Sequence, residues 1–341
     1  MKAIVHDQLG PADSVLRLVD REVPEPTTGE VRIRVAVSGV NPTDWKARTG
    51  LYGGGDPVES VPNQDGAGVI DAVGPEVEGL AVGDRVWVTL AAYERPGSGT
   101  AQEYTVVPAS RAFPLPGDAS FELGASIGIP AITAHRALTV AEGGPTRLAP
   151  GALDGKVVLV AGGAGAVGHA AIQLARWAGA TVIATTSPAK TSYAETAGAH
   201  HVVSYQDPDA ADQIRAFAPD GVDIVVEVAI GTNNDLDLAV LRPRGTIAIY
   251  ANNGDKPLTV DVRPNMGLNT RYQFVLLYTV GWEFLTAAAE DINAAITAGA
   301  LPVGENAGLP LHYFPLDQTA AAHQSVESGA TGKVLVTVAD L

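Results

Sequence analysis

Few arrangements restrict a fold more than an apolar strand that runs through a glycine turn into a helix. Residues 157–160 are wholly apolar, as in a parallel strand buried on both faces. Gly162, Gly165 and Gly168 follow at G-x-x-G-x-x-G spacing, and Val167, Ala171, Leu174 and Ala178 then recur on one helical face. Glycines let the backbone turn tightly and let a pyrophosphate approach without meeting a Cβ. The first N–H groups of the helix lack partners, and the macrodipole favours an anion there. Gly162, Gly165, Ala166, Val167 and Gly168 are therefore the candidate phosphate-binding residues for a dinucleotide.

The next strand separates the two nicotinamide cofactors. An NAD site carries Asp or Glu about twenty residues on, for the ribose hydroxyl. Here Thr181-Val-Ile-Ala-Thr-Thr-Ser187 is followed by Lys190, with no acid in between. Hydroxyls and an ammonium at Ser187 and Lys190 suit a 2′-phosphate, which a carboxylate would repel, so the expected cofactor is NADPH.

At 341 residues the chain has room for two domains, and 46% hydrophobic against 18% charged residues supply a sizeable core. A formal charge of −16 argues against nucleic acid or an anionic membrane as partner. There is no cysteine, which excludes disulfides and every thiolate-bound metal. An acid at Asp7 is too early for a signal peptide, and the glycines and polar residues of 157–175 argue against a membrane span. The expectation is a cytoplasmic protein.

Residues 1–126 read as mostly β. Val31, Ile33, Val35 and Val37 alternate with Arg32, Arg34, Ala36 and Ser38 as in a half-buried strand, and further strands are expected at 67–73, 85–90 and 101–107. The glycine-rich stretches 53–55 and 96–99 are expected loops. A helix over 121–141 leads into a second domain, 127–300, with strands at 157–161, 181–186, 201–205, 223–228, 246–251 and 274–278. Six strands at that spacing predict an α/β, doubly wound parallel sheet of the Rossmann kind. A helix is expected over 283–298. The segment 301–341, with strands at 311–314 and 333–338 around a helix near 317–328, is expected to rejoin the first domain.

Several motifs together resemble a known family. Gly29-Glu-Val-x-Ile-x-Val, Gly39-Val-Asn-Pro-x-Asp44, Gly83-Asp-Arg-Val86, Gly128-Ile-Pro-x-x-Thr-Ala134, the glycine turn and Gly329-Ala-Thr-Gly-Lys333 occur in the order found in the zeta-crystallin-like quinone oxidoreductases of the medium-chain dehydrogenase/reductase superfamily. The resemblance implies a chaperonin-like β-barrel catalytic domain beside the Rossmann domain, NADPH in the cleft between them, and a homodimer or tetramer. The zinc enzymes of the superfamily place cysteine and a Gly-His-Glu motif where this chain has Asn41 and Asn63-Gln64-Asp65, so the resemblance is to the zinc-free branch.

Carried over residue by residue, the resemblance puts Ser187, Lys190 and Tyr205 at the 2′-phosphate and adenosine, and Thr133 near the nicotinamide. It adds Asn252 and Lys333 as further cofactor-binding candidates. Asn41 and Tyr52 match substrate-cleft positions, and Lys46 stands where some members carry tyrosine. Gly329 stands near a phosphate-binding arginine of some members, which leaves more of that task to Lys190. The implied reaction is hydride transfer from NADPH to a quinone, with an enone as the alternative acceptor and a non-enzymatic NADPH-sensing role as the rival. Asn41, Tyr52 and Lys46 are the candidate donors to the developing oxyanion. For Asn41 a second role, capping the turn before Pro42, is equally open. Glu227 reads as a satisfied or strand-end carboxylate, His200-His201 as no metal site, and no serine-hydrolase elbow occurs.

Overall fold

The structure, a computed structural model, describes residues 1–51 and 58–341; Tyr52 and the glycines at 53–55 lie outside the described residues. In chain order the strands are β1 (Lys2–Val5), β2 (Arg17–Asp20), β3 (Glu30–Val40), β4 (Asp65–Val73), β5 (Arg85–Val88), β6 (Tyr104–Pro108), β7 (Ala112–Pro114), β8 (Val157–Ala161), β9 (Thr181–Thr186), β10 (His201–Ser204), β11 (Val222–Glu227), β12 (Leu241–Ile249), β13 (Arg271–Phe274), β14 (Leu311–Pro315) and β15 (Lys333–Thr337). They belong to two compact units. Met1–Ile129 and Leu311–Leu341 form one, and Pro130–Pro310 the other. The first division falls at Pro130, inside the helix Phe121–Leu138, rather than at 126/127, and the second at 310/311 rather than at 300/301.

In the first unit β3 is the organising strand. It pairs antiparallel with β4, β6 and β15, and the sheet continues through β5 to β7 on one side and through β15 to β14 on the other. Val31, Ile33, Ile70, Val86, Val88 and Val107 form its core. The expected in–out alternation holds through Arg34, which is exposed; from Val35 to Val40 every side chain is buried. Ser38, expected to face water, instead hydrogen-bonds Thr100 Oγ1 at 2.7 Å and accepts from Asn63 Nδ2 at 2.9 Å. The tail helix Thr319–Glu327 adds a buried His323, whose Nε2 lies 2.8 Å from Asn63 Oδ1. Burial lowers the pKa of His323 to about 3, so its neutral ring donates from Nε2 to the Asn63 carbonyl oxygen.

The second unit is a six-stranded, wholly parallel sheet in the order β10-β9-β8-β11-β12-β13. Chain order reverses between β8 and β11, which makes that boundary the topological switch point of a doubly wound sheet. The β-branched strand residues, Ile183, Val203, Val225 and Ile247 among them, are fully buried because helices cover both faces. The sixth strand is Arg271–Phe274 rather than 274–278. After Phe274 the chain leaves the ladder and forms a single turn at Leu277–Thr279, so the apolar run Val275-Leu-Leu supplies loop side chains instead.

Asp291 ties this unit together away from the sheet. It lies on the helix Trp282–Thr297 and accepts from His135 at 2.7 Å, from Arg147 Nε at 2.8 Å and from the Leu148 N–H at 2.6 Å. Burial alone would raise its pKa, but these bonds outweigh burial and hold the carboxyl at about 2. A carboxyl held below its ordinary value stabilises the fold above about pH 4, and that contribution is lost as pH falls from about 4 to about 2. Asp291→Ala is expected to cost about 2–3 kcal/mol by urea denaturation at pH 7, the lower end for a buried ion pair because Arg147 is half exposed, and less at pH 3. Equal losses at both pH values would show that the carboxylate charge is not the cause.

Candidate functional site

The site in the second unit starts where β8 ends. Gly162 has φ +69°, a conformation that only glycine adopts freely, and its carbonyl accepts the Gly165 N–H at 2.9 Å. A Cβ on Gly168 would collide with the Gly162 carbonyl oxygen, so the helix Ala166–Trp177 starts as close to the strand as two backbones permit. Gly163 is a further member of the turn. A Cβ there would press on Ala184 and Ile172, between β9 and the helix. Gly163, Gly165 and Gly168 together make the G-x-G-x-x-G spacing, a signal present in the sequence and not used above.

Gly165 differs from the others. It is exposed, has φ −83°, and a Cβ on it would meet only the Gly162 carbonyl oxygen, at 3.4 Å. Space is therefore left open at the helix N-terminus. No side chain caps it, and among the described residues the N–H groups of Ala166, Val167 and Gly168 have no acceptor. Such a terminus accepts a phosphate.

The carboxyl ends of β9 and β10 bring the other expected residues to the same edge. Thr186 pairs with Ser204, and the Tyr205 N–H donates to the Thr186 carbonyl at 3.2 Å. Ser187 and Lys190 bracket the turn that follows β9, with the Lys190 N–H on the Ser187 carbonyl at 2.9 Å. Both are half-buried, Tyr205 is 47% exposed, and among the described residues Lys190 has no acidic partner. Thr133 is buried on the helix Phe121–Leu138. Asn252 is otherwise engaged: its Oδ1 accepts the Gly231 N–H at 3.0 Å and its Nδ2 donates to the Lys256 carbonyl at 2.9 Å. These two bonds brace the turn after β12. Beyond the switch point, the carboxyl ends of β12 and β13 wall a cavity of about 660 Å³, with Ile230, Ile249, Tyr250, Leu258 and Val275 in its lining.

Glu227, at the end of β11, is fully buried. It accepts from the Ala229 N–H and from Asn233, and Asp237 lies beside it. Burial raises both carboxyls, and the Glu227 charge raises Asp237 further.

In the first unit the expected oxyanion donor Asn41 is 2% exposed. Its Nδ2 donates to Asp65 Oδ2 at 2.7 Å and its Oδ1 accepts from Lys333 Nζ at 2.7 Å. Lys333, expected to contact cofactor, is also 2% exposed, with its ammonium 3.7 Å from Asp65. Both are corrected to members of a buried charge cluster, because a buried ammonium must face a carboxylate rather than a ligand in water. Asp65 further accepts the Ile129 N–H at 2.9 Å and Thr89 Oγ1 at 3.2 Å. Asp44 accepts the Asn41 N–H at 2.7 Å and the Gln64 N–H at 3.1 Å, which fixes the entry to the helix Pro42–Arg48. Lys46, on that helix, is half-buried, with its ammonium 5.7 Å from the Trp45 ring centre. Tyr52 lies outside the described residues.

This cluster also bears on zinc. The donors at the relevant positions are Asn41 and Asp65, and an ammonium already neutralises them; a dication beside Lys333 would be repelled. Among the described residues no group of three or more His, Cys, Asp or Glu could hold a metal ion.

A glycine turn at the switch point of a parallel sheet, opening on an uncapped helix, defines a dinucleotide-binding protein. The comparisons agree. Residues 166–292 match the zinc-binding dehydrogenase family and residues 27–117 the alcohol dehydrogenase GroES-like domain. The chain is 31% identical to a quinone oxidoreductase of Lama guanicoe over 342 residues, 98% of this chain and 97% of that protein. Among solved structures it is similar to a mycobacterial protein complexed with NADPH (30% identity, TM-score 0.81, 99% of each chain). It is also similar to an NAD-dependent alcohol dehydrogenase (28% identity, TM-score 0.83, 99% of this chain and 100% of that one). The chain belongs to the quinone oxidoreductase-like group of the medium-chain dehydrogenase/reductase family.

Burial pushes Asp44 up to about 7, and the Asp65 charge pushes the same way against the hydrogen bond from Asn41. A carboxyl raised in the fold stabilises it fully below about pH 4, and that contribution is lost as pH rises from about 4 to about 7. Asp44→Asn should therefore lower Tm at pH 5, where it removes one backbone acceptor, yet flatten the fall in Tm between pH 5 and pH 8. A variant whose Tm falls as steeply as the parent's over that range would rule Asp44 out as the titrating group.

Proposed function

We propose that this chain is an NADPH-dependent reductase that transfers hydride to a quinone. An enone, electron-poor in the same way, is the alternative acceptor. The observation that carries the reading is Lys190, an ammonium without an acid partner among the described residues, on the sheet edge that also holds the uncapped helix N-terminus. The llama relative named quinone oxidoreductase and the mycobacterial relative complexed with NADPH support it. The similar NAD-dependent alcohol dehydrogenase points the other way, and the acid-free stretch 181–190 favours the phosphorylated cofactor.

NADPH supplies the hydride when bound. The N–H groups of Ala166, Val167 and Gly168 would hold its pyrophosphate, Ser187 and Lys190 its 2′-phosphate, and Tyr205 its adenosine. The reduced acceptor takes its proton from solvent. Turnover without zinc belongs to the same reading, supported by the absence of cysteine and by Lys333 standing against Asp65.

NADPH consumption with a panel of quinones and enones tests this directly. Lys190→Ala should weaken NADPH about ten- to a hundredfold and leave NADH nearly unchanged, and exhaustive chelation should leave the parent rate intact. Equal losses for both cofactors, or a rate lost on chelation and restored by zinc, would overturn those assignments.

Self-association through the β13 edge is part of the proposal. Phe274 is 65% exposed there, and Met266 and Val262 on the adjoining helix Val262–Leu268 are 72% and 67% exposed. An unpaired edge with apolar neighbours is stable only when covered. Sedimentation at micromolar concentration should show a species at least twice 35.0 kDa; a lone monomer would contradict it.

A further inference from the structure

The cavity at the carboxyl ends of β12 and β13 contains a cation that nothing above uses. Arg136, from the last turn of the helix Phe121–Leu138, lines it together with Gln273, Thr279 and the apolar Leu258, Val275 and Val280. One face of the guanidinium is stacked on Phe284, with Cζ 4.3 Å from the ring centre. That contact fixes the plane of the group and occupies none of its five N–H donors. Among the described residues Arg136 has no carboxylate and no carbonyl acceptor. Burial draws its pKa below the ordinary arginine value, with no acid acting to hold it up.

The chain's other arginines show how unusual this is. With 38 Asp and Glu against 22 Lys and Arg, acceptors are abundant. Every other arginine that is buried or half-buried among the described residues faces a carboxylate or a carbonyl: Arg32 meets Asp71, Arg48 meets Glu327, Arg95 meets Glu30, and Arg111 donates to the Leu90 carbonyl. A half-buried guanidinium with no acceptor from the protein among the described residues keeps its N–H donors available to a ligand that brings its own acceptor.

The geometry points to an acceptor that carries its own anionic group, a carboxylate, sulfonate or phosphate on an apolar quinone or enone, with Arg136 as the residue that selects it. This rests on the reductase reading above and adds the charge of the substrate. The apolar wall takes the ring and the guanidinium edge takes two oxygens of the anion. In the reaction the quinone gains a hydride from NADPH and a proton from solvent, giving hydroquinone and NADP⁺, and the anionic substituent is unchanged. The −16 charge of the chain repels anions at long range, so a preference for an anionic acceptor has to come from a local contact.

The test pairs 1,4-naphthoquinone-2-sulfonate with its neutral counterpart 2-methyl-1,4-naphthoquinone. Equilibrium binding by tryptophan fluorescence and kcat/KM with NADPH are measured for the parent, Arg136→Gln and Arg136→Lys, with Tm verifying the fold. Arg136→Gln should weaken the sulfonate about ten- to a hundredfold, Arg136→Lys should recover part of that, and the sulfonate-to-neutral ratio in kcat/KM should collapse in the glutamine variant. The parent alone carries a second readout: its affinity for the sulfonate should fall with added salt while that for the neutral quinone does not.

Equal binding of the two probes by the parent, equal losses for both in Arg136→Gln, or a loss of NADPH affinity in that variant would overturn the assignment. Arg136-dependent sulfonate binding without reduction of either quinone would leave the anion site standing and remove the reductase reading. Reduction of both quinones at rates independent of Arg136 would do the reverse.

Discussion

The approach of two backbones at the Gly162–Gly168 turn is the constraint on which the rest of the nucleotide half depends. Because Gly168 presents no Cβ to the Gly162 carbonyl, the helix Ala166–Trp177 begins directly above the end of β8. Its first N–H groups then face the switch point of the sheet, and that position gives them a use. A helix N-terminus elsewhere on the surface would simply be hydrated; here it lies on the edge where β9 presents Ser187 and Lys190. Gly163 makes the same demand on the other side, where Ala184 and Ile172 leave no room for a side chain.

The first unit solves a different problem, how to hold charge inside a β domain. Asp44, Asp65 and Lys333 are all buried, and the group is tolerable only because almost every lone pair has a donor: backbone N–H groups from Asn41, Gln64 and Ile129, the Asn41 amide and the Lys333 ammonium. Two carboxyls and one ammonium leave an excess of acid, and Asp44, with no cation in contact, takes the consequence in its raised pKa. The same arrangement withdraws Asn41 from substrate chemistry, since both ends of its amide are committed.

Glycine spacing, an apolar strand and the acid-free run after β9 are local properties, and each was legible in order along the chain. The strands β8 to β12 lie close to where β-branched runs placed them, because a parallel strand buried on both faces must be apolar throughout. The sixth was misplaced by the same rule. The run 274–278 is apolar without being paired, since it leaves the ladder at Phe274 and lines a cavity instead. Ser38 misled in the opposite direction: its polarity signalled water, but Thr100 and Asn63 satisfy it indoors.

The sequence by itself determined the class of the protein and its α/β organisation, because those follow from short-range spacing and backbone permission. Only the tertiary structure decided which polar side chains are free. Lys333 and Asn41 lie 292 positions apart and meet at 2.7 Å, so a residue that looks available in the chain is a buried ion partner in the fold. Arg136 is the converse, one arginine among many in the sequence, distinguished by the acceptor it lacks among the described residues. Hydrogen-bond satisfaction is a sum over neighbours brought together from distant segments, and no local pattern contains that sum.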